Sequence, residues 1–227
     1  MNPRRLREAT SPRAAASAAR LAVVVGLGSA GVFAAAGLTA QAPEGWLLTG
    51  RDADDYELVR DMEVARSGEA SLRLAARGNR HRDDWAVSVQ MVDATPYRGR
   101  RVRLRGWLRS DDLGSGGLWM RIDGIVEGRA ALLALDNMED REIEGTEDWT
   151  EREIVLDVAP ESVTILFGAM IAGDGALWVD DLAFEGVEED VALTAEAEVV
   201  VDDAPYARPP GVHPAPTNLG FEREAGS

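Results

Sequence analysis

Asn218-Leu219-Gly220-Phe221-Glu222 follows a Pro-rich loop and reads as a strand with no partner after it. Its mate has to lie far upstream, and the strongest strand signal there is Leu177-Trp178-Val179-Asp180-Asp181-Leu182-Ala183-Phe184-Glu185. Together with Gly45-Trp46, these stretches predict an all-β body whose terminal strands close on each other.

Alternation with period two runs through the rest of the chain. In Arg101–Ser110, Val102, Leu104 and Leu108 point one way, while Arg101, Arg103, Arg105, Trp107 and Arg109 point the other. Leu118, Met120 and Ile122 alternate in the same manner with Trp119, Arg121 and Asp123. Thr150–Val158 repeats the pattern, and Val163–Ile171 is nearly all apolar, as a central strand would be. Shorter strand candidates are Trp46–Thr49, Tyr56–Met62, Ser71–Ala75, Trp85–Val92 and Ala130–Leu135. Turn chemistry separates them at Arg66-Ser67-Gly68, Pro96–Gly99, Gly114-Ser115-Gly116-Gly117 and Gly173-Asp174-Gly175. Many short strands with regular turns and no long helical period predict an antiparallel β-sandwich of the jelly-roll kind, completed by a C-terminal strand. Val191–Val201 reads either as an edge strand or as an extended acidic connector.

Residues 1–42 read as an export address. Five Arg precede an Ala/Gly/Val-rich run from Leu21 to Leu38, and Ala40-Gln41-Ala42 has the small-x-small pattern of a signal-peptide cleavage site. An uncleaved anchor is the alternative, because the run is near the lower length for a membrane span. The expected division is then 1–42 signal peptide, 43–186 sandwich, 187–217 acidic then Pro-rich connector, and 218–227 terminal strand packing back. Secreted or periplasmic localisation follows, with no membrane insertion once the signal is removed.

The formal charge is −16, and removing residues 1–42, with their five Arg and one Glu, brings it to −20. A surface so acidic repels nucleic acid, so no nucleic-acid partner is expected. The chain has no Cys, so disulfides contribute nothing and stability rests on core burial, hydrogen bonds or bound ions. No Gly-x-Ser-x-Gly elbow, phosphate loop or His-Glu-x-x-His pair occurs, and His81 and His213 fall in expected loops. A pair of carboxylates in a small glycoside-acting enzyme is the one catalytic arrangement left open.

The order Gly45-Trp46, Gly68…Ser71-Leu72-Arg73-Leu74, Pro96–Val102, Thr146–Trp149 and Leu177–Leu182 resembles the galactose-binding-like jelly rolls. Within that group it is similar to the carbohydrate-binding modules attached to secreted xylanases and related enzymes. In those modules an Asn-x-x-Phe-Glu strand opens the domain, whereas here the matching Asn218–Glu222 comes last. The resemblance implies a structural calcium ion near the joined terminal strands, on Asp180, Asp181 and Glu222, since hard cations take several oxygen ligands. The bland alternative has these acids accepting backbone hydrogen bonds or pairing with Arg.

For a ligand, Trp119, Arg121 and Asp123 share one strand side, with Gln90, Asn137 and the His81–Trp85 loop expected to reach the same hollow. An indole stacks on the apolar face of a sugar, and Arg, Asp, Asn and Gln hydrogen-bond its hydroxyls. The stripe Arg101, Arg103, Arg105 and Arg109 either grips an acidic polymer or is answered by Glu151, Glu153 and Asp157 on a neighbouring strand, and pairing is the expected case. The chain therefore reads as an exported, non-catalytic recognition module for carbohydrate or a cell-envelope polymer. A structural or protein-interaction sandwich with a protein partner is the alternative.

Overall fold

The computed structural model describes residues 42–197 and 199–225. The expected signal segment, apart from Ala42, lies outside the described residues, and so do the last two residues of the expected terminal strand.

Among the described residues ten strands run in the order β1 (Leu47–Thr49), β2 (Tyr56–Asp61), β3 (Ser71–Ala76), β4 (Trp85–Asp93), β5 (Arg100–Val126), β6 (Arg129–Asp136), β7 (Ile143–Val158), β8 (Ser162–Ala172), β9 (Ala176–Val187) and β10 (Val200–Pro205). All their pairings are antiparallel. No described helix is long and apolar enough to cross a membrane.

The two sheets share one strand. The first half of β5 lies between β9 and β7, and β3 and β2 extend this layer beyond β9. The second half lies between β8 and β6, with β4 and β1 beyond β8 and β10 beyond β6. We call these layers sheet I and sheet II. The strand changes layers around Gly114-Ser115-Gly116-Gly117, a stretch whose sequence alone reads as a turn between two strands. It is instead a bend inside one 27-residue strand. A Cβ at Gly114 would collide with the Ala172 carbonyl, and one at Gly116 with that of Met170, so side chains are excluded where β5 crosses over. Register shifts against β7 in this stretch supply the curvature.

The alternating residues of both layers fill the space between them. Leu58, Leu72, Leu74, Val102, Leu104 and Leu108 come from sheet I, and Leu118, Met120, Ile122, Ile165, Phe167 and Ile171 from sheet II. Burial of such side chains contributes roughly 1.5–3 kcal/mol each.

Residues 218–225 pack on the body as a turn, where the sequence predicts a strand. Asn218 and Phe221 have φ of +49° and +57°, which breaks extended geometry. The segment docks through single contacts: Trp46 Nε1 donates to Asn218 O (3.2 Å), Leu182 N to Leu219 O (3.1 Å) and Arg60 Nε to Phe221 O (2.8 Å). Phe221 is fully buried against Trp46, ring centroids 5.2 Å apart. Ala42, the residue before the expected cut, is also buried, and its carbonyl accepts Ala225 N at 3.1 Å.

The acidic connector is partly structured. Thr194 caps the free edge of β7, its hydroxyl accepting Val155 N at 2.8 Å and its amide donating to Val155 O at 3.1 Å. Val200–Pro205 then forms β10 on the edge of β6.

Candidate functional site

The outward side of sheet II is unusual in being apolar. On β4, Val87, Val89 and Met91 face away from the main core, and Leu166 and Met170 of β8 and Trp119 of β5 join them in a second cluster. Leu47, Trp85 and Val212 pack against its border. An outward sheet face is ordinarily polar, so an aromatic and aliphatic floor here calls for cover, and its six members are at most 6% exposed in the structure.

Trp119 is set into this floor rather than standing on it. It lies opposite Gly168 in the β5–β8 register, and its indole reaches across β8 to donate to Ser88 O on β4 at 3.0 Å. Ser88 Oγ accepts Ala169 N at 2.9 Å, so a side chain replaces a ladder bond at this point. A Cβ at Gly168 would collide with the Ser88 carbonyl. Trp119 is 6% exposed, so its contribution is the floor and not a freestanding platform.

Next to the floor, Arg121 Nε bonds Asp123 Oδ1 at 2.7 Å, with side-chain exposures of only 12% and 13%. Burial pushes the Asp123 carboxyl above the ordinary range, against the opposing pull of Arg121. Register places Thr164 opposite Asp123, and Asp93 opposite Thr164. Tyr206 OH lies 2.7 Å from Thr164 Oγ1, and Arg208 pairs with Asp93 at 3.1 Å. Thr95, through its hydroxyl and its N–H, holds the Asp93 carboxyl down at about 2, aided by Arg208.

The expected ligand residues divide accordingly. Trp119, Arg121 and Asp123 do share one face, and Trp85 borders it. Gln90 does not join them: it lies in phase with the core-facing Ala86 and Val92, and its amide ties Thr217 in place, accepting Thr217 N at 2.8 Å and donating to Thr217 O at 2.9 Å. Both faces of β4 are apolar, so alternation alone left its orientation ambiguous. Asn137 is buried just past the end of β6, next to the Met120–Asp136 pair. His81 is exposed and pairs locally with Asp83. The contributions of Asp93, Thr164, Tyr206, Arg208 and Val212 were missed; the only trace of the last three in the sequence is a Pro-rich stretch resembling a linker.

Asp180, Asp181 and Glu222 do converge, around the turn Arg66–Glu69, but their oxygens are already engaged. Asp180 accepts the N–H groups of Arg66 (2.8 Å), Ser67 (3.1 Å) and Asp181 (2.7 Å). Asp181 accepts Ser67 Oγ (2.6 Å) and pairs with Arg66, and Glu222 accepts Glu69 N (3.0 Å). Among the described residues no group of three His, Cys, Asp or Glu is placed to hold a metal ion. A calcium ion does not fit this donor set, because the oxygens it would need already accept protein hydrogens.

The arginine stripe is paired across strands. Arg101 meets Asp157 at 2.8 Å, Arg105 meets Glu151 at 3.1 Å, and Arg103 meets Glu185 at 2.7 Å with Glu153 at 3.7 Å. Arg109 differs, lying 5.9 Å from the Trp178 ring centre.

No family model matches the chain. A sequence relative is the uncharacterised HTH-type transcriptional regulator YbfP of Bacillus subtilis (strain 168), 32% identical over 182 residues and 80% of this chain. The chain spans 57% of that relative's length. Similar solved structures include the CBM22-1 xylan-binding domain of Paenibacillus barcinonensis Xyn10C, at 13% identity and TM-score 0.45 over 65% of this chain and 89% of that one. Another is TmCBM61 in complex with β-1,4-galactotriose, at 14% identity and TM-score 0.42 over 65% and 92%. A third is the enzymatically active domain of the bacteriophage CBA120 tailspike protein 4, at 14% identity and TM-score 0.49 over 63% and 20%. Carbohydrate-binding modules are thus among the structures this chain is similar to, as its motif order implied, and at these scores the likeness assigns no ligand.

Proposed function

We propose that the chain is a non-catalytic recognition domain whose sheet II face takes a carbohydrate or a cell-envelope polymer. The observation that carries this reading is the apolar floor around Trp119, bordered at its far end by Trp85 and set beside the buried Arg121–Asp123 pair. An apolar surface with a few convergent polar groups and a perturbed carboxyl has the make-up of a ligand site. Delivery outside the cytoplasm is part of the proposal and rests on the address-like sequence of residues 1–42.

The relative named as a transcriptional regulator is matched over a stretch that includes the sandwich of this chain. A match over 80% of the chain cannot avoid the sandwich, and a helix-turn-helix is made of helices, which the described residues lack apart from two single 3-10 turns. What this chain brings to that match is therefore its β body.

A glycan array probed with the full chain tests the proposal. Binding is expected, and it should be lost in Trp85→Ala and Asp123→Asn while their melting curves stay cooperative. A blank array, with capture of a protein partner instead, overturns the carbohydrate reading.

A further inference from the structure

The segment after β10 crosses the candidate face. β10 lies on the β6 edge of sheet II, and at the opposite edge His213 forms a parallel bridge with Val92, its N–H donating to Met91 O (2.8 Å) and its carbonyl accepting Asp93 N (2.9 Å). Between these anchors residues 206–212 pass over β6, β5, β8 and β4. The four strands between the anchors make five intervals of ~4.8 Å, about 24 Å, and the eight steps from Pro205 to His213 reach about 26–29 Å when extended, so the span crosses with only a few ångströms of slack, on the order of what a strap needs to lift. It is held by the Tyr206–Thr164 hydroxyl contact, the half-exposed Arg208–Asp93 pair and the packing of Val212 on the apolar cluster. Gly211, at φ +79°, lets the chain turn just before the His213 anchor.

Two further observations say that the span covers something. The Arg121–Asp123 pair is almost out of solvent although it lies on an outward sheet face. Tyr206 OH also sits 2.7 Å from the hydroxyl of Thr164, the register partner of Asp123, which puts the phenol close to that carboxyl.

We propose that residues 206–212 form a hinged strap that gates the Arg121–Asp123 end of the sheet II face, so that a ligand reaches the pair only when the strap lifts off its Tyr206–Thr164 latch. This rests on the sheet II face being the ligand site. The firm backbone anchors at β10 and His213 remain in place during the motion. The latch is weak because an exposed ion pair and one hydroxyl contact contribute little against solvent.

The chain has no cysteine, so a crosslink can be introduced cleanly. In the Thr164→Cys/Tyr206→Cys variant the latch is broken, and a short bis-maleimide between the two thiols restores a closed strap. The probes are anilinonaphthalene sulfonate, which lights up on apolar surface, and the glycan array. The unbridged variant should bind several-fold more dye than the wild type, and bridging should reverse the gain. Arg208→Ala, at an exposed position, should raise dye binding in the same direction. Equal dye binding by all four forms overturns the strap. Glycan binding present in the unbridged form and abolished by bridging supports gate and ligand site together. A blank array with the dye difference intact supports the gate and removes the carbohydrate reading; array binding that bridging leaves unchanged overturns the gate alone.

Discussion

Phe221→Ala measures whether the C-terminal turn belongs to the cooperative core. Phe221 has no exposed surface, and its ring meets Trp46, which in turn meets Phe167 edge-on at 5.8 Å. Truncating a fully buried Phe costs about 3–5 kcal/mol, from lost transfer energy and the cavity left behind. A terminal segment collapses into the gap more readily than a central strand, which favours the lower end. At roughly 2–4 °C per kcal/mol for a domain of this size, the melting temperature should fall by at least about 6 °C. Circular dichroism melts and urea titration read this out, and an unchanged denaturant slope shows that the body still unfolds as one unit. The backbone adds a second expectation. At φ +57° alanine is strained and glycine is not, so Phe221→Gly should be no less stable than Phe221→Ala despite losing one more carbon. A Phe221→Ala melt within about 2 °C of the wild type would refute the reasoning.

Gly168→Ala should destabilise by about 1–3 kcal/mol in denaturant titration, because the new methyl meets the Ser88 carbonyl under the Trp119 indole. For Asp93 the sign of the pH dependence is set by a carboxyl held down at about 2: its stabilisation is complete above the unfolded value near ~3.9 and is lost as pH falls toward 2. Asp93→Asn should therefore be less stable at neutral pH and should lose less stability than the wild type between pH 4 and 2. Chelator followed by added calcium should leave the melting temperature unchanged, since the oxygens of Asp180, Asp181 and Glu222 already accept protein donors; a rise on calcium addition would restore the ion. Arg103→Glu, placed beside Glu185 and Glu153, should cost about 1 kcal/mol at low salt and less at high salt, without changing any glycan signal.

Much of this fold was legible because strand alternation is a local property. Val102, Leu104 and Leu108 point inward whichever strands flank them, and the arginines opposite them needed only a neighbouring acidic strand to be paired. Glu185, the shortest-range partner of Arg103, was not anticipated, because nothing local announces that β9 lies on the other side of β5. The site was half legible for the same reason. Trp119, Arg121 and Asp123 share a face by period, while Gln90 went to the wrong face because β4 is apolar on both sides.

The amino-acid sequence by itself determined the strand content, the inward and outward sides of most strands, and the acidic, cysteine-free character of the chain. Only the tertiary structure decided that two strand signals are one strand bent through a glycine cluster, that the tail docks as a turn, and that a Pro-rich stretch crosses the sheet II face. Backbone and side-chain partners more than a hundred residues apart decide these features, as when Phe221 closes on Trp46 or Arg208 on Asp93, and no local period encodes which distant surface a segment will meet.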